Sequence, residues 1–254
     1  MPHDEWRDVI RGIARDWLFA DLVAGGAPCP RSVVMPLENP DLHDDGPLLD
    51  ALDNVQRFRC IALGDYEGAR IGVLTPKLGA PAVAMTIEVL ADLGVRHIVG
   101  VGYCGGLEAS ITCGDFVVPS ASMLDDGTTA RYVNGTHPVP ADEEAHSLLR
   151  KMLDESGHAY HCGPVWSTDA VLLESSQAVR EWSQRGALGV DMETGALFTL
   201  ARLRDVQACA LLVASDNAAR CAPADGESLT AGTRTAATIA LRYAAQHADR
   251  TSDD

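Results

Sequence analysis

Short apolar runs and amphipathic helical patterns alternate along the chain from about Arg31 to its end. The apolar runs are typical of buried strands, and they fall at residues 32–35, 57–63, 71–74, 97–101, 115–119, 187–190 and 206–214. Apolar residues at steps of three and four predict helices at residues 82–93, 142–155, 194–203 and 227–246. This alternation predicts an α/β fold in a single domain.

The N-terminal residues form a separate pattern. Apolar side chains at steps of three and four predict an amphipathic helix at residues 4–22, ahead of Gly25 and Gly26. They are Trp6, Val9, Ile10, Ile13, Trp17 and Leu18. We interpret residues 1–26 as a helical extension and residues 27–250 as the domain itself.

Composition and charge narrow the classes of function. The chain has 254 residues, of which 46% are hydrophobic and 22% charged, as is usual for a globular protein. Its formal net charge of −16 disfavours nucleic acids and anionic membranes as partners. No apolar run reaches the roughly 20 residues of a membrane span. The seven cysteines include no Cys-x-x-Cys pair, so we expect a protein of the reducing cytoplasm, without an export signal.

A glycine-rich segment follows the apolar run at 97–101. Gly100, Gly102 and Gly105 match the G-x-G-x-x-G spacing of dinucleotide-binding proteins. That motif requires a helix at its third glycine, because the pyrophosphate binds at the helix N-terminus. The next predicted strand begins at Asp115, which leaves too little chain for such a helix. We therefore predict a strand, a glycine-rich turn and a second strand, with backbone N–H groups close to a small ligand or anion. The histidines are scattered, and we predict no metal site.

Four blocks of sequence, in order, resemble one family. They are residues 78–81 (LGAP), 94–122 (from GVRHIVGVGYCGG to SAS), 189–196 (GVDMETGA) and 213–217 (VASDN). Together they resemble the nucleoside phosphorylases of the purine nucleoside and uridine phosphorylase type, which also include purine nucleosidases. The resemblance implies a single-domain, three-layer α/β/α fold with a twisted mixed central sheet. It also implies a homo-oligomer (dimer, trimer or hexamer) with active sites near subunit interfaces. Such proteins cleave the bond between a base and C1′ of ribose, with phosphate or water as acceptor and no cofactor beyond phosphate as co-substrate.

Two carboxylates match the chemistry of this cleavage, which builds positive charge on the sugar and negative charge on the departing base. By resemblance, Glu193 binds the ribose O2′ and O3′ hydroxyls, and Met192 packs on the sugar. The alternative for Glu193 is an acid that stabilises a helix N-terminus. Asp216 follows a buried strand, and by resemblance it protonates N7 of a purine. The alternative for Asp216 is an ordinary turn residue.

Further residues are assigned to the base and its pocket by the resemblance. The glutamine and arginine that the pyrimidine-specific branch needs are absent from the segment after Asp169, which disfavours uracil. Val171 takes the place of an aromatic residue that stacks on the base. Asp191 stands where relatives often have glutamate. The pocket set is Tyr103, Cys104, Gly105, Val171, Asp191 and Asn217.

The anion site departs from the family pattern, which has three arginines. The turn after the first strand lacks one, a second corresponds to Gly100, and Arg57 alone aligns with the arginine lent by a neighbouring subunit. Gly79, Arg57 and Glu38 are therefore the candidates for an anion or acceptor site, with Glu38 as the nearest general base for a water acceptor. Three explanations stay open: water is the acceptor, phosphate is held by Tyr103, Lys77 or Arg70, or the substrate carries an anion. By resemblance to some relatives, His3 is a further candidate residue for the active site of a neighbouring subunit.

The alternative to an enzyme is a nucleoside-binding member of the same fold without activity.

Overall fold

The computed structural model describes residues 5–37, 46–135 and 137–248. Eight α-helices lie within these ranges: α1 Glu5–Ala24, α2 Pro47–Asp50, α3 Ala80–Asp92, α4 Gly127–Val133, α5 Glu143–Glu155, α6 Ser176–Gln184, α7 Thr194–Leu203 and α8 Gly226–Gln246. The ten strands of the same ranges are β1 Ser32–Leu37, β2 Asp53–Arg57, β3 Ile61–Tyr66, β4 Ala69–Leu74, β5 His97–Gly106, β6 Phe116–Asp125, β7 Val139–Pro140, β8 Tyr160–Thr168, β9 Gly189–Asp191 and β10 Gln207–Asn217.

The described strands form one mixed sheet in the order β10-β6-β8-β9-β5-β1-β4-β3-β2, with β7 paired to β6. β5 also pairs with β10, so β5, β10, β6, β8 and β9 close into a circle. β1, β4, β5 and β10 run parallel, whereas β6, β8 and β9 run against β5. The C-terminal end of β5 is therefore paired with the start of β9 inside one closed unit.

Two apolar clusters lie on the two faces of this sheet. Neighbouring strand residues point to opposite faces, so Val33 belongs to one cluster and Val34 to the other. The first cluster contains side chains of α1, α3 and α7, and the second contains side chains of α2, α5 and α8. The three-layer α/β/α fold with a mixed central sheet is thus confirmed.

The glycine-rich segment is part of a strand, whereas the sequence predicts a turn. Gly102 and Gly105 lie inside β5, which continues to Gly106 and pairs with β10 to its end. No helix occurs between β5 and β6, which confirms that the segment is not a dinucleotide-binding motif. A side chain would collide at several of these positions, so glycine serves close strand packing rather than a turn.

The N-terminal helix is confirmed, but its contacts differ from the apolar pattern. α1 bends at Phe19, whose φ of −131° is not helical, and it buries Phe19 and Leu22 against the domain. The predicted apolar residues Trp6, Ile13 and Trp17 are more than half exposed. The division into residues 1–26 and 27–250 stays a prediction.

None of the helices in the described parts of the chain is long and apolar enough to cross a membrane.

Candidate active site

Three strands frame the second half of β5. β10 pairs along one edge of β5 and places Asp216 beside Gly105. β1 pairs along the other edge and stops with Leu37 beside Gly102. β9 continues this second edge from the opposite direction. The end of β9, and with it Glu193, is therefore directed at the end of β1, and we call the space between Leu37 and Glu193 the β1–β9 gap.

Glu193 is held by a segment that is remote in sequence. Its side chain is buried, and its Oε1 accepts a hydrogen bond of 2.6 Å from the backbone N–H of Gly79. Gly79 has a φ of +80°, which favours glycine, and it immediately precedes α3. Its N–H is one of those that a helix N-terminus leaves unpaired, so a carboxylate is a favourable partner. This contact fixes the Glu193 carboxylate at the β1–β9 gap.

Asp191, not Glu193, caps the helix that follows. Asp191 accepts hydrogen bonds of 2.8 Å from the backbone N–H and from the hydroxyl of Thr194, the first residue of α7. Glu193 makes no side-chain cap bond to α7. Glu193 therefore does not cap α7, and the helix N-terminus that its side chain contacts is that of α3.

Burial raises the pKa of Asp191 from 3.8 to about 6, although the Thr194 hydrogen bonds oppose the shift. Between these values the folded chain keeps a proton that the unfolded chain has lost. Asp191 therefore lowers the free energy of unfolding as the pH rises from about 4 to 6.

We expect Asp191→Asn to remove this dependence, since asparagine does not titrate. Relative to the parent, the variant should gain free energy of unfolding by up to about 3 kcal/mol between pH 4 and pH 6. Urea unfolding of both proteins at several pH values measures the difference. Asp154→Asn, at an exposed position of α5, is the control and should show no such trend. A constant difference between parent and Asp191→Asn would contradict the assignment.

Asp216 lies on the opposite edge of β5 from Glu193. It follows an irregularity in the pairing of β10 with β5, and it is half-buried. The Ser215 hydroxyl donates to Asp216 Oδ2 over 2.7 Å. A methyl group on Gly105 would lie 3.3 Å from Asp216 Oδ1 and 3.1 Å from Val190 Cγ1. The bare backbone of Gly105 thus leaves room for the Asp216 carboxyl between two strands.

Cys104 lies between the strands that carry the acidic residues. Its pKa is raised by burial first and then by the charges of Asp191 and Asp216. Both carboxyl groups are thus close enough to the thiol to act on it. Glu193 lies two residues beyond the end of β9 and Asp216 lies on β10, and these two strands flank the end of β5.

The remaining pocket residues are placed differently. Asn217 donates to the backbone carbonyls of Glu108 and Ile111, both over 2.7 Å, and so holds the segment after β5. The Tyr103 hydroxyl is paired with Thr233 on α8, over 3.0 Å. Val171 is exposed in a short 3₁₀ helix that follows β8. Their roles toward a base stay predictions.

A family model described as the phosphorylase superfamily matches residues 33–250. The chain belongs to the phosphorylase superfamily. It is 30% identical over 177 residues to a guanosine phosphorylase from Halorubrum lacusprofundi, a match that covers 70% of this chain and 72% of that protein. It is 32% identical over 158 residues to a DeoD-type purine nucleoside phosphorylase from Clostridium perfringens, covering 61% of this chain and 66% of that protein.

A crystal structure of uridine phosphorylase from Vibrio fischeri has a similar fold. It has a TM-score of 0.75 and 26% sequence identity, and the match covers 85% of this chain and 92% of that one. Distant homology thus makes the chain a phosphorylase-superfamily enzyme of the nucleoside phosphorylase type.

Of two positions that the resemblance assigns to arginine, Gly100 departs from the pattern and Arg57 matches it in sequence. A Cβ atom on Gly100 would lie 2.8 Å from Leu197 Cδ2 and 2.9 Å from Leu37 Cδ1, so leucine side chains fill the space where an arginine would begin. Arg57 is exposed at the end of β2, and β3, β4 and β1 separate it from β5. The structure does not bring Arg57 to Glu193 of its own chain. Glu38 and His3 lie outside the described residues.

Two contributors to this candidate site had no clear signal in the sequence, Thr194 and Ser215, which orient the two aspartates. Gly79 is a sequence candidate for the anion or acceptor site, and in the structure its N–H holds Glu193 across 114 positions of the chain. The signal that could have identified Ser215 is its hydroxyl, which directly precedes the candidate acid Asp216 in the sequence. Within the described residues, no cluster of three or more histidine, cysteine, aspartate or glutamate side chains is arranged to bind a metal ion.

Proposed function

We propose that this protein cleaves the N-glycosidic bond of a purine-type ribonucleoside or deoxyribonucleoside by phosphorolysis. The observation that carries the proposal is the placement of Glu193 just beyond β9 and of Asp216 on β10, the two strands that flank the end of β5. Breaking this bond builds positive charge on the sugar and negative charge on the base. Glu193 stabilises the charge on the sugar, and Asp216 neutralises the charge on the base. The phosphorylase names of the relatives cited above favour phosphate over water as acceptor.

Glu193 acts on the sugar in this mechanism. The backbone N–H groups of Gly79 and Met192 donate to its two carboxylate oxygens, and we assign further acceptor positions of the carboxylate to the vicinal O2′ and O3′ hydroxyls of ribose. Its negative charge also stabilises the positive charge that develops on the ring as the bond to the base breaks. Met192, directly before it, packs its apolar side chain against the sugar.

Asp216 acts on the base. As the C1′–N9 bond breaks, its electron pair moves into the purine, and protonated Asp216 donates a proton to N7, so that a neutral base leaves. A phosphate oxygen then forms the new bond to C1′. The Ser215 hydroxyl orients the carboxyl group throughout. Tyr103, Cys104, Gly105, Val171, Asp191 and Asn217 are proposed to shape the base pocket.

The resemblance to nucleoside phosphorylases also supports a proposal for the oligomeric state. We propose a homo-oligomer with active sites near subunit interfaces, in which Arg57 serves the site of a neighbouring subunit. It is exposed on an outer strand that three other strands separate from β5, which supports a role outside its own site.

Incubation of the purified chain with inosine, adenosine, guanosine, methylthioadenosine and uridine, each with and without phosphate, tests the function. We expect a purine base to be released only when phosphate is present, with ribose 1-phosphate as the second product. Equal release in both buffers would replace phosphorolysis with hydrolysis. Cleavage of uridine alone would contradict the purine assignment, and binding without any cleavage would indicate a nucleoside-binding protein.

A further inference from the structure

A cavity of about 500 Å³ is bordered by α1, α3 and α4. Its volume is in the range of cavities that bind small molecules. Every described residue that lines it belongs to one of these three helices, so Glu193, Asp216 and the strands of the candidate active site take no part in it. α1 also lies outside residues 33–250, which the family model matches. The cavity therefore depends on the N-terminal helix of this chain.

Apolar side chains form much of the cavity wall. Trp6 and Ile10 line it from α1, and Met85 and Val89 line it from α3. Trp6 is 68% exposed and Ile10 is 47% exposed, so α1 brings to the cavity a large apolar surface that the domain does not cover. Removing such surface from water favours the binding of an apolar group. A ligand with an apolar ring or chain fits these walls.

Positive charge converges on the same cavity. Arg7 and Arg11 of α1 and Arg131 of α4 line it, and Glu88 of α3 is the acid among the described lining residues. Glu88 is already neutralised, because Arg11 lies 3.1 Å from its carboxylate and Arg204 contacts it as well. Arg131 is exposed in the last turn of α4. The cavity thus has an excess of positive charge, in a chain whose formal net charge is −16.

Tyr132 adds a hydroxyl group to the lining of the cavity. Burial and the charge of Glu88 raise the pKa of Tyr132, and the charges of three arginines oppose that rise: Arg11, Arg204 and Arg7. These guanidinium groups are therefore close enough to act on one half-buried hydroxyl. An anion that enters the cavity meets both charged and neutral hydrogen-bond donors.

We propose that this cavity binds a small amphipathic anion, which consists of a carboxylate on an aromatic or aliphatic body. The carboxylate binds Arg7 and Arg131, and the apolar body packs against Trp6, Ile10 and Met85. Arginine suits this role because its planar guanidinium can bind both oxygens of a carboxylate. The same positive charge repels a cation of equal size and shape, so the site selects its ligand by charge as well as by apolar contact.

Three matched probes test the selection by charge on the full chain. Phenylbutyrate, phenylbutanol and phenylbutylamine share one apolar body and differ in charge. Isothermal titration calorimetry should give phenylbutyrate a dissociation constant below about 1 mM and about tenfold or more below that of phenylbutanol, with the amine weakest. Equal dissociation constants for the three probes, tighter binding of the amine, or no binding of phenylbutyrate would overturn the proposal.

Substitutions at exposed positions separate the charges from the apolar wall. Arg7→Gln and Arg131→Gln should each weaken phenylbutyrate binding about tenfold and leave phenylbutanol binding unchanged. Ile10→Asn should weaken both probes by a similar factor, because it removes apolar contact without changing charge. Arg150→Gln on α5, which packs on the opposite face of the sheet, and Val23→Asn, which does not line the cavity, should bind as the parent does. An unchanged affinity in both arginine variants would refute the role of these charges.

A second copy of the chain, seated on the same apolar surface, is the competing occupant. Sedimentation equilibrium of the parent and of Ile10→Asn, with and without phenylbutyrate, distinguishes the two. The proposal predicts the same mass in all four samples. If Ile10→Asn or phenylbutyrate lowers the mass of the parent assembly, the surface is a subunit interface and the proposal is wrong. None of these measurements depends on nucleoside cleavage, so they are independent of the proposed function.

Discussion

Asparagine at position 216 should lower kcat for purine nucleosides by about 10²- to 10⁴-fold, the usual contribution of a general acid. Asparagine has nearly the same shape and can still accept the Ser215 hydrogen bond, but it carries no transferable proton. The loss should therefore fall on the chemical step, while the KM for nucleoside changes little. Steady-state rates with inosine or guanosine and saturating phosphate measure it.

A substrate that needs no proton provides the control for Asp216. In 7-methylguanosine the purine already carries a positive charge, so the base leaves as a neutral molecule without protonation at N7. Asp216→Asn should cleave it at nearly the parental rate, and Asp154→Asn, on the surface of α5, should behave as the parent with both substrates. An equal loss with the methylated and unmethylated substrates would show that Asp216 shapes the pocket rather than donating a proton.

Glutamine in place of Glu193 should reduce kcat/KM about 10- to 100-fold, because a charge-assisted hydrogen bond contributes about 1.5–3 kcal/mol. A glutamine oxygen can still accept the Gly79 N–H, so the substitution removes charge and leaves the anchoring contact in place. The variant also loses the negative charge that stabilises the developing cation on the sugar. Rates with a ribonucleoside over a range of concentrations give the change.

The 2′-deoxyribonucleoside distinguishes hydroxyl binding from a general defect at Glu193. It lacks one of the two hydroxyls, so the ratio of parental to variant kcat/KM should be smaller than with the ribonucleoside. Glu143→Gln, exposed in the first turn of α5, is the matched control. Equal ratios for the two sugars would argue against a bond between Glu193 and O2′.

The sequence was most informative about the buried strands. The parallel strands at the centre of the sheet are covered on both faces, so residues 98–101 and 208–214 contain no polar side chain. All seven predicted strands overlap observed ones. β8 was missed because its first half, YHCG, contains polar residues and glycine and is only partly buried. The glycines of β5 were interpreted as a turn because glycine is disfavoured in strands, yet here they allow strands and side chains to approach closely.

The site was predictable only in part, since sequence periodicity carries no information on which loops meet. Glu193 and Asp216 were named because each directly follows an apolar strand within a recognisable block. The Gly79–Glu193 bond joins positions 114 residues apart, and nothing local to either residue indicates it. Similarly, Lys77 follows β4 in a short loop typical of the surface, and tertiary packing alone makes it buried. The exposed apolar residues of α1 show the same limit. Periodicity predicts a helix, but it does not indicate which side of the helix packs against the domain.

The leucines around Gly100 have a consequence for how this chain can change over time. Arginine introduced at position 100 by one substitution would meet Leu37 and Leu197 at once, and both are fully buried. Overpacking of a dense interior is costly, so a cation could be accommodated at position 100 only after these neighbours had become smaller. The packed leucines thus restrict where a single substitution can add positive charge, and an exposed loop accepts a new cation more readily than position 100 does.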